Sequence, residues 1–485
     1  MGLRYETVTN PKEVNNLAAR LVNITDAAFT VEPEVDSYFD IAKKTFQPRF
    51  GFAWQLNDSA STVIRGGAGI FHDQPLPHLY STQVEKYPPY YNLAQNPSPN
   101  LTFDDLTAGR VQPRVNAVST SIQMGTKYHW NLTVQQQLGQ NNVIEIGYVG
   151  AKAHNLPKFN ELSTPFPFIR SDGSKCFGFR TAAQKAAGTG SDNPLCPEAT
   201  SDRRNPNFDE LRTIEYVGQS LYNGMQAKFT RRTNAGGQFQ FLYTWSRAMD
   251  NASTTASGDV LREPQSALDP IDSNVDYSRA SFDAVNNFSI SYTYPLPFQG
   301  QGVLGALVGG WEIAGITSIV SGSPYTIRSG SDTDRNRDGG RSDRPDLAPG
   351  FSNNPTEGTS AGCADIDGGP IGRSVESWNK TSRWHDICAF QITNLGVYGN
   401  LGRNTVLGPG RLNFDFSLHK SFPVTEGMDI QFRAEMFNIF NRNNLGLPEN
   451  QGFDGLDYEP SAGTILPGET VTRPREIQFG LKLVF

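Results

Sequence analysis

R-E-I-Q-F-G-L-K-L-V-F, residues 475–485, is the stretch whose reading decides the fold. Ile477, Phe479, Leu481, Leu483 and Phe485 are apolar, whereas Glu476, Gln478, Gly480 and Lys482 between them are polar or small; Val484 alone breaks the pattern. A period of two belongs to a strand with one apolar face. Roughly ten residues is also what a tilted strand needs to cross a bilayer. The last strand of a soluble sandwich has the same period, so the remainder of the chain must decide.

The pattern recurs upstream in adjacent pairs. Phe50, Phe52, Trp54 and Leu56 share a face, and after the turn 57–61 Ile64, Gly66, Ala68 and Ile70 share another. Trp130, Leu132, Val134 and Leu138 precede the turn 139–141, and Ile144, Ile146 and Tyr148 follow it. Met225, Ala227 and Phe229 pair across T-N-A-G-G with Phe239, Phe241, Tyr243 and Trp245. Phe288, Ile290, Tyr292 and Tyr294 come next, then a strand from Trp311 to about Ile327. Leu412, Phe414, Phe416 and Leu418 lead through the turn 423–427 to Met428, Ile430, Phe432, Ala434 and Met436. With Met1–Glu6 as a further strand this gives about twelve, each near the length of a barrel strand. Short turns alternate with long polar loops at 72–128, 151–221, 248–285, 328–410 and 441–474. The expectation is an all-β antiparallel transmembrane barrel with short periplasmic turns and long extracellular loops, located in the cell outer membrane. Its polar, inward positions include Arg433, Glu435, Asp415 and Gln478.

Composition agrees. Of 485 residues 37% are apolar and 11% aromatic, with 47 Gly and 17 Tyr, which suits strands and turns better than packed helices. A net charge of −7 without a basic run excludes a nucleic-acid partner. The most apolar window, Val303–Val320, carries five glycine or glutamate interruptions early on and β-branched residues after Trp311, so it reads as a strand and not as a spanning helix. No export signal follows Met1.

The wording of the strands carries a resemblance. F-Q-P-R-F-G-F-A-W (46–54), V-I-R-G-G-A-G-I-F-H-D (63–73), W-N-L-T-V-Q-Q-Q-L-G (130–139), F-L-Y-T-W-S-R-A-M-D (241–250), G-W-E-I-A-G-I (310–316), G-P-G-R-L-N-F-D-F-S-L-H-K (408–420) and Q-F-R-A-E-M-F-N-I-F-N (431–441) occur in order. Together they resemble the C-terminal barrel of TonB-dependent outer-membrane receptors and transporters of the Oar-like type, in Gram-negative bacteria. The resemblance implies a barrel of about 22 strands, plugged by an N-terminal domain, of which this chain matches the C-terminal half. The plug, the TonB-contacting segment and the signal peptide have no counterpart in 1–485, so a fragment is expected, and TonB is a partner only if a plug is present. The final strand, through Ile477, Phe479, Leu481, Leu483 and Phe485, resembles the insertion signal of such barrels and implies outer-membrane lipid and the barrel-assembly machinery as partners. The expected function is uptake or binding of an unidentified ligand, without enzymatic activity. A passive channel or adhesin barrel, and a secreted carbohydrate-binding β-protein, are the alternatives.

Three further features bear on chemistry. Asp332, Asp334, Asn336 and Asp338 place oxygen ligands at alternate positions before Gly339, like the first half of a calcium loop, but Pro345 stands where the bidentate Glu belongs, and Asp343 could substitute for it only with altered geometry. Calcium is the one cofactor considered; the alternative is an acidic loop neutralised by Arg335, Arg337 and Arg341. The cysteines fall in two local pairs, Cys176–Cys196 and Cys363–Cys388, read as loop disulfides of an oxidising compartment, with four unrelated thiols as the alternative. His72–Asp73 and His385–Asp386 lack a placed nucleophile and read as surface-loop residues, not catalytic pairs.

Overall fold

The computed structural model describes residues 1–15, 19–27, 30–31, 37, 40–57, 61–75, 114–118, 121–208, 210–253, 267–298, 302–330, 335, 343–357, 363, 375–377, 380–381, 383–425, 427–466 and 468–485. Its backbone is one large antiparallel sheet. Twelve strands follow one another in chain order: β1 (Gly2–Tyr5), β2 (Phe46–Gln55), β3 (Thr62–Asp73), β4 (Gly125–Leu138), β5 (Asn142–Glu161), β6 (Glu210–Arg232), β7 (Gln238–Asp250), β8 (Asn286–Pro295), β9 (Trp311–Val320), β10 (Arg411–Thr425), β11 (Met428–Phe437) and β12 (Glu476–Val484). Each pairs with its chain neighbours, which is the meander that short turns impose. Among the described residues β1 and β12 do not pair with each other, so the path stays open. No helix among the described residues is long and apolar enough to cross a membrane.

Register decides which side chains share a face. Residues directly opposite in an antiparallel pair point the same way. Trp54, Ile64, Val134, Ile146, Ala227, Tyr243, Phe288, Ile319 and Leu412 therefore form one row across β2 to β10, apolar at every position. One residue away, Gln55, Val63, Gln135, Glu145, Lys228, Leu242, Ser289, Ser318 and Asn413 form a largely polar row on the opposite face. The apolar face is bare: Trp54, Ile146, Trp245, Phe479 and Leu481 are each more than half exposed. An apolar surface of this extent needs a non-aqueous neighbour.

Several aromatics on this face lie across a glycine of the paired strand. Trp130 covers Gly150, and Tyr292 covers Gly315, whose added Cβ would meet the Tyr292 hydroxyl at 2.6 Å. The absent side chain leaves room for the ring, and the ring covers backbone that the glycine leaves bare.

The buried core lies elsewhere, in the long connections. Tyr325, Ile327, Ile387, Phe390, Val406 and Phe453 form a fully buried cluster drawn from the segments after β9 and after β11. The long connections thus build a packed layer on one end of the sheet.

Three local expectations are corrected. The window 303–320 is not all strand: Gly302–Val308 forms a short helix, α1, and the strand starts at Trp311 and stops at Val320, short of Ile327. V-L-G-A-L-V, before the β-branched run, has no alternation to hold it in the sheet. The loop 151–221 is strand at both its ends, since β5 reaches Glu161 and β6 begins at Glu210. Pairing continues there through a bulge at Asn155, with φ 57°, and alternation fails because both faces of that extension lie outside the apolar zone. His72 lies in β3 and not in a loop, its Nδ1 3.0 Å from Thr126 Oγ1.

Two predictions follow from the faces. Ile146→Arg, on the apolar row, lowers folding stability in bilayers by about 2–4 kcal/mol, whereas Gln226→Arg on the polar face changes it by less than about 1 kcal/mol, as read from urea unfolding in lipid vesicles. Gly150→Leu drives a side chain into the Trp130 ring and lowers the heat-modifiable fraction on gels, while Gly51→Ala, whose Cβ meets its nearest atom at 3.7 Å, leaves that fraction unchanged.

Candidate functional site

The polar face brings together the side chains expected to line an interior. Asp415 on β10 and Glu435 on β11 border a cavity of about 570 Å³ together with Gln238, Ser291, Thr293 and Ser417. Alternation puts them there: each is one residue from an apolar position, Phe239, Tyr292, Phe416, Leu418 or Met436, on the other face. Asp415 accepts from Asn413 Nδ2 at 2.9 Å and from the Asn438 amide at 2.9 Å, so one carboxylate oxygen also orders the chain leaving β11. Glu435 accepts from Gln478 Nε2 on β12. Arg433 is opposite His419 on one side and Gly480 on the other. Other pairs cross the same face, with Arg65 donating to Gln135 at 2.6 Å and Lys228 lying 3.6 Å from Glu145. Charges of both signs alternate along it, which suits a polar ligand without selecting its sign.

Above one end of this face, the packed layer is held by buried charges. Arg403 Nη2 lies 2.5 Å from Asp250 Oδ1 at the end of β7 and donates to Ser253 Oγ at 2.7 Å. Its Nη1 donates to the carbonyl oxygens of Asp250 and Asp276 at 2.8 and 2.6 Å. Asp276 in turn meets Lys158 of β5 at 3.0 Å and Arg344 at 3.5 Å. Five charged side chains from three connections and the strand ends that lead into them therefore meet out of water, where an ion left without its partner is costly. Nearby, burial pushes the Glu161 carboxyl above its ordinary pKa although it accepts from the Leu211 and Ser163 amides. Nothing local in the sequence announces this clasp, because Arg403 and Asp250 stand 153 residues apart.

The described cysteines, Asp343 and the pair His385–Asp386 lie in or beside this layer. Cys176 and Cys196 are bonded, with their Cα atoms 6.5 Å apart, and Cys363 and Cys388 are bonded at 5.7 Å. Of the calcium-loop residues, Asp332, Asp334, Asn336 and Asp338 lie outside the described residues. Asp343 is buried, and its Oδ2 accepts the Arg335 amide at 2.5 Å. Among the described residues no group of three His, Cys, Asp or Glu side chains is placed to hold a metal ion. His385 is not a surface residue: it is fully buried, with Nδ1 2.6 Å from the Tyr325 hydroxyl. Asp386 turns away to cap the Cys388 amide at 3.0 Å. At the other edge, Ile477, Phe479, Leu481 and Leu483 of β12 stand on the apolar face in register with Met436, Ala434, Phe432 and Ile430, and Phe485 follows the strand.

Comparison with known proteins gives a family. The profile described as outer membrane beta barrel domain matches residues 1–478. No curated protein matches the chain. Among solved structures, the outer membrane transporter YddB from Escherichia coli is similar at 8% identity and a TM-score of 0.43, over 90% of this chain and 40% of that one. The siderophore receptor PirA from Acinetobacter baumannii is similar at 11% identity and a TM-score of 0.41, over 91% and 41%. The FrpB iron transporter from Neisseria meningitidis gives 10% and 0.37, over 91% and 39%. The chain spans about 40% of the length of these structures.

The clasp yields its own test. Arg403→Met leaves Asp250 without its buried cation and destabilises the outer layer by about 3–5 kcal/mol, read as faster limited proteolysis of the long connections. Arg473→Gln, which removes one partner of an exposed pair with Glu476, leaves the cleavage rate unchanged.

Proposed function

Because the chain belongs to the outer membrane beta barrel domain family, we propose that it is the barrel portion of a TonB-dependent outer-membrane receptor or transporter, which gathers a polar ligand at its outer layer and passes it along its polar face. One observation carries this reading: the described parts of the long connections form a packed layer with a buried core and an ion clasp, at one end of the sheet whose polar face holds Asp415 and Glu435. A layer so built presents a fixed surface, and ligand capture needs fixed groups, since ordering a loop at the moment of binding subtracts from affinity. The two disulfides, in the oxidising space outside the cell membrane, hold that surface against local opening. The motif resemblance in strands β2 to β11 extends the reading to energy coupling where a plug accompanies the barrel. The protein acts by binding and translocation, without chemistry on the ligand.

The test is uptake by an outer-membrane host producing the protein, with ferric citrate, maltodextrin and an oligopeptide as probes. Saturable accumulation of one probe, reduced about tenfold or more by Asp415→Asn with Glu435→Gln, and lost in a TonB-deficient host where a plug accompanies the barrel, is the expected result. Equal, non-saturable entry of all three probes in both hosts contradicts the proposal and makes the protein a passive channel.

A further inference from the structure

At its long-connection end the apolar face carries charge around Arg247. Arg247 of β7 is opposite Asn223 of β6, one pleat above the opposed pair Met225 and Trp245, so all four point outward from the apolar face at its long-connection end. The guanidinium is exposed and its nearest acid is Asp283, whose carboxylate lies 3.8 Å from Nε and is itself buried. Arg279, paired with Met249, stands on the same face one strand over and one pleat higher. Lys152 of β5, paired with Leu221 of β6, stands on the other side at the height of Met249, exposed. Two cations, Arg247 and Arg279, therefore stand by one carboxylate, and Lys152 adds a third positive charge two strands away on the same face. Burial, then the neighbouring Arg247 charge, hold the Arg279 pKa below its ordinary value, with Asp283 acting in the opposite sense. Outward-facing cations are costly in hydrocarbon, and here they stand just above the aromatic level given by Tyr148 and Trp245.

A cavity of about 310 Å³ opens beside Arg247, lined by Tyr148, Asn223, Trp245 and Arg247 among others. The Tyr148 hydroxyl donates to Asn223 Oδ1 at 2.5 Å, which turns the Asn223 amide nitrogen, a donor, to the free side. Arginine pairs, an amide donor and an aromatic wall suit a phosphate on an acyl-chain lipid: the guanidinium forks take the phosphate oxygens, and the rings take the first methylenes below it.

We propose that this outward-facing patch, Arg247 with Arg279, Lys152 and Asn223 above Tyr148 and Trp245, binds the phosphorylated headgroup of an outer-leaflet lipid. Charge complementarity selects that occupant. The face is lipid-covered below the site and reaches the headgroup level at the site, so the ligand arrives within the membrane plane and not through the barrel interior.

The experiment is native mass spectrometry of the full chain, released from detergent with dioleoyl phosphatidate, dioleoyl phosphatidylcholine or inorganic phosphate added. Phosphatidate is expected to be retained about tenfold more than phosphatidylcholine, with the preference lost in Arg247→Gln plus Arg279→Gln and about threefold smaller in Lys152→Gln. Inorganic phosphate at equal concentration is expected not to displace the lipid. Equal retention of both lipids overturns the proposal, as does an unchanged preference in Lys152→Gln, a substitution of an exposed side chain that leaves folding untouched. Displacement by inorganic phosphate overturns the lipid as the source of the anion.

Discussion

Backbone pairing in register is the constraint on which the rest of the structure depends. In hydrocarbon every amide and carbonyl needs a partner, and a strand finds its partners only along its neighbours. Once β4 and β5 pair Val134 with Ile146, every second side chain of both is committed to one face, and a slip by one residue would turn Glu145 and Gln135 into lipid. The same phase is kept through nine strands in the row from Trp54 to Leu412. Apolar exterior, polar interior and the cavity at Asp415 and Glu435 are consequences of that single phase.

A protein built this way divides its stabilisation. The sheet is satisfied by hydrogen bonds and solvated by lipid, so its large side chains need no core. The connections on the outer side face water and must pack as a soluble domain does, which explains why the fully buried Tyr325, Ile387, Phe390 and Phe453 are all found there. Their packing leaves no room for solvated charge between elements, and Arg403, Asp250, Asp276, Lys158 and Arg344 consequently satisfy one another. The two disulfides, 20 and 25 residues in span, lie in the same layer.

What could be read from the chain followed the same division. Twelve strands and their order were legible because alternation is a local signal: Arg411–Phe422 and Glu476–Val484 state their faces without any neighbour. The outer extensions of β5 and β6 were not, because beyond Ala151 the connections pack against the strands, Leu211 against Leu21 and Phe208, and the period disappears while the pairing persists. The helix Gly302–Val308 was hidden by its apolar composition, which a buried strand shares. Asp415 and Glu435 were legible as polar partners of apolar neighbours, whereas the Arg403 clasp depends on contacts between distant connections and has no sequence signature. His385 looked like a surface residue beside an acid, and only the fold around Tyr325 shows that burial decides its partner.

The most direct measurement is site-directed spin labelling along Asn142–Lys152 of the protein in lipid vesicles, with oxygen and a water-soluble nickel chelate as the two relaxing agents. The account predicts oxygen-dominated relaxation at 144, 146 and 148, nickel-dominated relaxation at 143, 145 and 147, and loss of the alternation near Lys152. Uniform nickel access along the strand, or alternation in the opposite phase, would contradict it.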